Sequence, residues 1–270
     1  MTPHPIPKYL SKPALYFLTS TLIIALFILI PTPFAIISPG PVTDLLSKGI
    51  SLSKNIDGKA NNNSKEKIAG KLFSLSVFVN NPESRPPGIL VLAAWLSGDS
   101  VVLPYEVVYE AGETTKTADA KGKKDMKNSE ELAAIAAANF LKNLDPTKPL
   151  NWKASDIKFV MKNVGGPSAG LAFALALIAR LQDPQLIAGR KIAVTGTITQ
   201  TGVVGRIGGI DQKLVSARNA GAVIAVIPRS NCEDITIKSD GLQLIAVNNL
   251  SEAFHGLVSP EIASTLRCPA

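Results

Sequence analysis

Residues 164–181 read VGGPSAGLAFALALIARL, a glycine-rich turn that leads directly into a long apolar run. Pro167 has the backbone angle of a first helical residue, so the sequence predicts a buried helix from Pro167 to about Leu181. Ser168 then lies in the first turn, where free N–H groups and the positive end of the helix dipole can stabilise an oxyanion. The same arrangement also occurs as an ordinary helix cap or a phosphate-binding loop, so this stretch alone leaves the chemistry open.

Around this helix the apolar patterns of strands and helices alternate, which indicates one mixed α/β domain. Asn128 and Glu131 resemble a capping box that opens an Ala-rich helix, and the charged residues before it are expected to be exposed. The run Ile89–Leu96 fits either a helix or a strand. The other expected elements are strands at 72–79, 191–199, 222–227 and 242–247, helices at 129–141 and 210–220, and one or two C-terminal helices.

The N-terminal region is strongly apolar, with no charged residue between Pro13 and Thr43. This pattern predicts a transmembrane anchor at residues 14–37, after a cytoplasmic N-terminus at 1–13. A cleaved signal peptide and a buried core helix are the alternatives. Lysines at the near end of the segment place the N-terminus in the cytoplasm and the rest of the chain outside. A polar linker is then expected at 38–69, the main domain at 70–258 and a tail at 259–270.

Composition excludes several classes of site. The chain has 28 Lys and Arg against 21 Asp and Glu, a net charge of +7, without a basic face interleaved with aromatic residues, so no nucleic-acid partner is expected. The excess of positive charge instead favours an anionic bilayer surface. The sequence has two His and two Cys and no Cys-x-x-Cys or His-Glu-x-x-His run, so neither a zinc site nor another cofactor is expected. A Ser-His-Asp triad would have to use His255.

Lys213 is a second candidate for chemistry, in the run GGIDQKL at residues 208–214. Most helical lysines are solvated, but a lysine can act as a general base if burial lowers its pKa towards neutrality. The non-polar neighbours of Lys213 favour such burial. Thr195 ends a predicted strand, and its hydroxyl could orient the lysine nitrogen.

Several short motifs occur along the chain in a fixed order. They are SPGP (38–41), MKNS (126–129), GGPSAG (165–170), GRKIA (189–193), TGTI (195–198), GVVGRIGGIDQK (202–213), AGA (220–222) and IPRSN (227–231) followed by Cys232. Jointly these motifs resemble the Lon-type Ser-Lys protease domain over about residues 70–257. The nearer resemblance is to membrane-anchored Lon-like proteins that usually carry a PDZ domain.

The resemblance implies the Lon proteolytic fold, similar to ribosomal protein domain 2, and an endopeptidase acting on unfolded or flexible polypeptide segments. Ser168 would be the nucleophile, Lys213, which lies 45 positions later, the general base, and Thr195 the residue that positions it. Backbone N–H groups around Gly166 and Ser168 would form the oxyanion hole, with Gly165 and Pro167 in support. Family members commonly form rings, so a homo-hexamer is expected.

Two features differ from those of the proteins that the chain resembles, the ATP-dependent Lon enzymes and the Lon-like proteins with a PDZ domain. No Gly-x-x-x-x-Gly-Lys-Ser/Thr run occurs, so ATP-independent activity is expected. The link between Leu141 and Asp156 is too short for a PDZ domain. A catalytically inactive scaffold that binds peptides or membrane partners is the main alternative. A small-molecule kinase or phosphate-binding protein is a more distant one, because no convincing Mg²⁺ carboxylate lies near 165–170.

Cys232 and Cys268 are the only cysteines in the sequence. If the domain lies in an oxidising compartment, the pair can form a disulfide that ties the tail to the domain. Two free thiols are the alternative that the sequence leaves open, because sequence does not give the distance between the two residues.

Overall fold

The computed structural model describes residues 11–52, 68–150, 152–161, 164–182, 184–239 and 241–269. Within these ranges the chain forms a mixed α/β fold, as the sequence predicts. The helices are α1 (Lys12–Leu29), α2 (Gly88–Ser97), α3 (Tyr105–Val108), α4 (Thr115–Leu144), α5 (Gly170–Leu181), α6 (Ile210–Asn219), α7 (Leu250–Val258) and α8 (Pro260–Thr265). The strands are β1 (Phe34–Asp44), β2 (Ile50–Leu52), β3 (Lys71–Val79), β4 (Val101–Pro104), β5 (Ile157–Phe159), β6 (Lys191–Val194), β7 (Thr197–Ile198), β8 (Val204–Gly205), β9 (Ile224–Pro228) and β10 (Gln243–Val247).

The main sheet has six strands in the order β10-β9-β6-β3-β1-β4. The four strands from β10 to β3 are parallel, and β1 and β4 continue the sheet in antiparallel fashion. Two small pairs, β2 with β5 and β7 with β8, complete the strand pairing among the described residues.

Alternate residues of the parallel strands enter two separate cores, because successive side chains of a strand point to opposite faces. On β6, Ile192 and Val194 join the core that contains α4, α5 and α7, whereas Ala193 joins the core that contains α6. The sheet is therefore covered by helices on both faces, which explains the nearly continuous apolar sequence of its central strands. The active-site candidates come from elements in both layers.

Several boundaries differ from those the sequence suggests. The undecided run 89–96 is helix α2. Helix α4 begins at Thr115 through a capping box of Thr114 and Thr117, so the prediction of a start at Ser129 is wrong. The predicted strand 191–199 is interrupted after Val194, and its last part pairs with β8 instead.

The N-terminal segment also differs from the prediction. Helix α1 ends at Leu29, and residues 34–37, expected to continue the anchor, form the start of β1. Among the residues that the structure describes, no helix is both long enough and apolar enough to span a bilayer. Residues 38–44 of the expected linker belong to β1, while 1–10 and 53–67 lie outside the described residues.

The two cysteines form a disulfide, with Cα atoms 5.4 Å apart and 36 positions between them. Both residues pack against the core on the α6 face of the sheet. The C-terminal segment is further tied to the sheet by the N–H of Ala246 on β10, which donates to the carbonyl of Leu266. Of the two alternatives that the sequence leaves open, the structure therefore supports the disulfide and not the two free thiols.

Candidate active site

Ser168 lies in a turn directly before α5, not inside the first helical turn as the sequence suggests. Helix α5 begins at Gly170, and the N–H of Gly170 donates to the carbonyl of Pro167. The Ser168 carbonyl accepts from the N–H of Gly196 at 2.8 Å and from Thr195 Oγ1 at 3.2 Å. The stretch that follows β6 therefore fixes the backbone of the serine turn.

Lys213 extends from α6, on the opposite face of the sheet, to the same turn. Its Nζ lies 2.9 Å from Ser168 Oγ and 3.4 Å from Thr195 Oγ1. The structure thus brings together the three residues Ser168, Thr195 and Lys213, which the sequence nominated separately.

The start of α6 explains the second of the two glycines before the lysine. Gly209 has φ +64°, in the left-handed region, and a Cβ there would lie 2.9 Å from Val77 Cγ1. Glycine therefore meets both the backbone and the packing requirement at this position. Asn231, fully buried, adds a second restraint by donating to the carbonyl of Ile207 and accepting from its N–H.

The Lys213 amine is almost completely removed from water, with 3% of the residue exposed. Burial lowers the pKa of Lys213 to about 8, because desolvation disfavours the charged ammonium form. A minor fraction of the amine is therefore neutral at pH 7, far more than for a solvated lysine, and a neutral amine can accept a proton from the serine hydroxyl.

A pocket of about 130 Å³ opens at Ser168 and Lys213. Leu75, Met126 and Val164 give it an apolar wall, and Lys213 is the only ionisable side chain among its described lining residues. Pro41 of β1 also lines it. The sequence predicts a linker at 38–69, so it gives no sign of this contribution from Pro41.

The expected oxyanion hole is corrected in one respect. The N–H of Gly166 donates to the carbonyl of Gly122 on α4 at 2.9 Å, so it does not point at the reaction site in this conformation. Gly166 itself has φ +92°, which favours glycine. Gly165 packs on α4, since a Cβ at Gly165 would lie 3.0 Å from the Gly122 backbone.

Helix α4 contributes a further residue that sequence reasoning did not assign to the site. Ser129 is buried and its hydroxyl donates to the carbonyl of Pro167 at 3.0 Å. Together with Gly122, it fixes the turn on the side opposite Thr195. A glycine inside a helix is unfavourable by about 1 kcal/mol, but this signal at Gly122 can be recognised only once α4 is known to begin at Thr115.

Residues 78–259 match the family described as the Lon protease (S16) C-terminal proteolytic domain. This chain belongs to the Lon proteolytic domain family. The match includes the serine turn and the lysine helix but begins after most of β3. The family relation supports a serine protease function.

Full-length Lon proteases are among the relatives of this Lon proteolytic domain. A mitochondrial Lon protease homolog of Neurospora crassa is 33% identical over 159 residues, 55% of this chain and 14% of the relative. One from Aspergillus fumigatus is 33% identical over 183 residues, 63% of this chain and 16% of the relative. The Lon protease of Clostridium beijerinckii is 28% identical over 188 residues, 65% of this chain and 23% of the relative. The chain therefore spans less than a quarter of the length of these relatives.

Proposed function

We propose that this Lon proteolytic domain is an ATP-independent serine endopeptidase in which Ser168 is the nucleophile and Lys213 the general base. The observation that carries the proposal is the buried Lys213 Nζ, 2.9 Å from Ser168 Oγ. A nucleophile and a base within hydrogen-bond distance are what covalent catalysis requires. The lowered pKa of Lys213 makes the amine available as a base near neutral pH.

In the proposed reaction Ser168 Oγ attacks the scissile carbonyl carbon while its proton passes to Lys213 Nζ. Collapse of the tetrahedral intermediate breaks the C–N bond, and Lys213 gives the proton to the leaving amine. Water then hydrolyses the acyl-enzyme by the same route. Thr195 holds the Lys213 nitrogen, and the backbone N–H of Ser168 is the proposed oxyanion donor.

The direct test is hydrolysis of a casein-type unfolded substrate by three variants, Ser168→Ala, Lys213→Ala and the double variant. Each single change should abolish hydrolysis, and the double variant should be scarcely worse, because the two residues act as a unit. Lys158→Ala, which removes an exposed lysine of β5, is the matched control and should be fully active. Hydrolysis that survives Ser168→Ala would contradict the assignment.

The rival function is a scaffold that binds peptides without cleaving them. A serine-directed covalent probe separates the two functions, because only an activated Ser168 should react with it. Labelling of the wild type that disappears in Lys213→Ala supports the protease. Binding of peptide without labelling or cleavage would support the scaffold.

The substrates we propose are unfolded segments, loops or the flexible tails of proteins. Supporting this, the 270 residues contain no P-loop with which to drive unfolding. The apolar wall of the pocket suits one apolar substrate side chain next to the scissile bond. By likeness to the family, a homo-hexameric ring is also proposed, which light scattering on the purified protein would test.

Addition of ATP and Mg²⁺ should leave the rate of casein hydrolysis unchanged. A non-hydrolysable ATP analogue serves as the control for non-specific effects of nucleotide. Strong stimulation by ATP alone would contradict the proposed ATP independence.

We further propose that the domain works outside the cytoplasm at a bilayer surface, the latter by its resemblance to membrane-anchored Lon-like proteins. The disulfide supports an oxidising compartment. Exposed apolar side chains on α1 and α2, such as Leu22 and Trp95, at 61% and 70% exposure, support contact with lipid.

Vesicle flotation tests this location. The wild type should float with vesicles that contain anionic lipid, and the double variant Leu22→Glu/Trp95→Glu should float less. Val203→Glu changes an exposed apolar residue elsewhere, at 52% exposure, and is the matched control. Equal flotation of all three proteins would count against the proposed surface.

A further inference from the structure

The strand β1 contains a bulge beside the catalytic pocket. Pro39 pairs with Val77 and Val42 pairs with Leu75, so Gly40 and Pro41 together face the single residue Ser76 on β3. A bulge of this kind bends its strand and redirects the groups that it carries, and bulges are frequent next to active sites.

The bulge is held tightly against β3. A Cβ at Gly40 would lie 2.6 Å from the Ser76 carbonyl oxygen, so this close approach requires glycine. On the other side, Ser76 Oγ donates to the carbonyl of Pro41 at 2.6 Å. The geometry of residues 40 and 41 is therefore fixed by the backbone of β3.

The two residues of the bulge lie next to the helix and the pocket of Lys213. Ser216 is buried on α6 one turn after Lys213, and its Oγ lies 2.9 Å from the Gly40 carbonyl and 3.0 Å from the Gln212 carbonyl of its own helix. Its single proton is shared between these two acceptors, so Ser216 links the bulge to α6. Pro41 lies in the wall of the pocket that Lys213 also lines. One side of the bulge thus holds the helix that carries the amine, and the other side closes the cavity next to it.

We infer that the Gly40–Pro41 bulge and Ser216 are positioning residues for Lys213: they hold α6 at the distance at which Nζ meets Ser168 and keep water from the amine. The inference rests on the proposed function, but it concerns residues outside the catalytic set. It also gives the SPGP stretch at 38–41 a role in the site instead of in a linker.

The first test compares Ser216→Ala with Ser216→Thr and with Ser251→Ala, a control on α7 that removes a hydroxyl bonded only within its own helix. Ser216→Ala should lower kcat about tenfold with little change in KM, because small misplacements of reacting groups are costly. The acid limb of its pH–rate profile should move to higher pH, because water that reaches the amine removes the desolvation that lowers the pKa of Lys213. Ser216→Thr, which keeps the hydroxyl, should restore the wild-type profile.

A second measurement does not depend on peptidase activity. The pH dependence of Lys213 modification by a small amine-reactive reagent, located by peptide mass spectrometry, reports the titration of that amine in any folded variant. In Ser216→Ala, and in Gly40→Ala where it folds, this titration should move to higher pH. Unchanged labelling and rate profiles in Ser216→Ala would overturn the inference, whereas a wild type that labels as expected but hydrolyses nothing would overturn only the proposed function.

Discussion

At the scale of single residues, Lys213 combines two opposing effects of burial. The residue is 3% exposed and no carboxylate is among the described residues that line its pocket, so desolvation alone lowers its pKa to about 8. The same desolvation that makes the amine a base near neutral pH removes a favourable hydration energy from the folded state. Both consequences can be measured separately.

The first consequence concerns rate. Peptidase activity should rise with pH through an apparent pKa near 8, since only the neutral amine accepts the serine proton. The pH–rate profile of kcat/KM on a short peptide measures this value. Thr195→Val should alter the profile, because Thr195 Oγ1 lies within 3.4 Å of the amine. A flat profile between pH 6 and 10 would rule out Lys213 as the general base.

The second consequence concerns stability. The folded pKa of Lys213, about 8, lies below the ordinary value of about 10.4, so between these pH values the unfolded chain binds more protons. Stability should therefore rise with pH across that window, and the cost of burying the amine is fully present below pH 8.

Lys213→Met should accordingly be inactive but more stable than the wild type, by up to about 3 kcal/mol at pH 7 at 1.36 kcal/mol per pKa unit. Urea unfolding at pH 7 and at pH 10 measures the difference, which should shrink at the higher pH. A variant less stable than the wild type at both pH values would contradict the argument.

At the scale of elements, helix α4 supports the serine turn through a glycine-to-glycine contact. A Cβ at Gly165 would lie 3.0 Å from the Gly122 backbone, whereas a Cβ at Gly122 would lie 3.4 Å from Gly165 Cα, an ordinary contact distance. The two positions should therefore respond differently to the same substitution.

Gly165→Ala should shift the serine turn and lower kcat about tenfold or more, while the fold remains. Gly122→Ala should keep activity and gain up to about 1 kcal/mol of stability, because alanine is the better helix former. Kinetics and thermal unfolding of both variants provide the comparison. Equal loss of activity in the two variants would show that the contact is not what holds the turn.

The same elements show what sequence could predict. The bounds of strand β3 and helix α6 agree with the sequence prediction to within one residue, although residues 72–75 and 212–217 are buried without alternation. The start of α4 differs from the prediction. Asn128 and Glu131 resemble a capping box in the sequence, but the helix already begins at the capping box of Thr114 and Thr117. Strand β1 was missed because its apolar residues pair within a sheet, and in sequence such a run cannot be told from a helix.

The site shows a similar division. Ser168, Thr195 and Lys213 could be nominated from sequence, since each occurs in a motif with glycine neighbours. Ser129, Gly122 and the bulge at 40–41 could not, because their contribution depends on contacts between segments 38–176 positions apart. The oxyanion assignment of Gly166 failed for the same reason, as its partner lies on α4.

At the scale of the whole molecule, the candidate residues Ser168 and Lys213 lie between two layers that the chain ties together at its C-terminal end. Cys232 follows β9, and Cys268 follows the last helix, so their disulfide closes 36 positions against the α6 face of the sheet. Arg229 adds hydrogen bonds to the carbonyls of Arg267 and Ala246. The tail is thereby part of the domain and not an appendage to it.

Loss of the disulfide should therefore destabilise the domain without disrupting the Ser168–Lys213 pair. In the loop-entropy description, opening a loop of 36 positions lowers the free energy of unfolding by about 3–4 kcal/mol. Cys232→Ser/Cys268→Ser should show this loss in urea unfolding, while its activity at 25 °C stays close to that of the wild type.

Reductant provides the matched control for this prediction, because it should lower the stability of the wild type to that of the double variant and leave the variant unchanged. The redox state of the same two cysteines in cells tests the compartment in which the domain is located. Protein extracted from intact cells without reductant should show no free thiol, because in an oxidising compartment the bond persists. Two reactive thiols in that experiment would contradict the extracytoplasmic location. In the urea experiment, a double variant as stable as the wild type would contradict the predicted loss. It would show that the hydrogen bonds of Arg229 and Ala246 hold the tail without the disulfide.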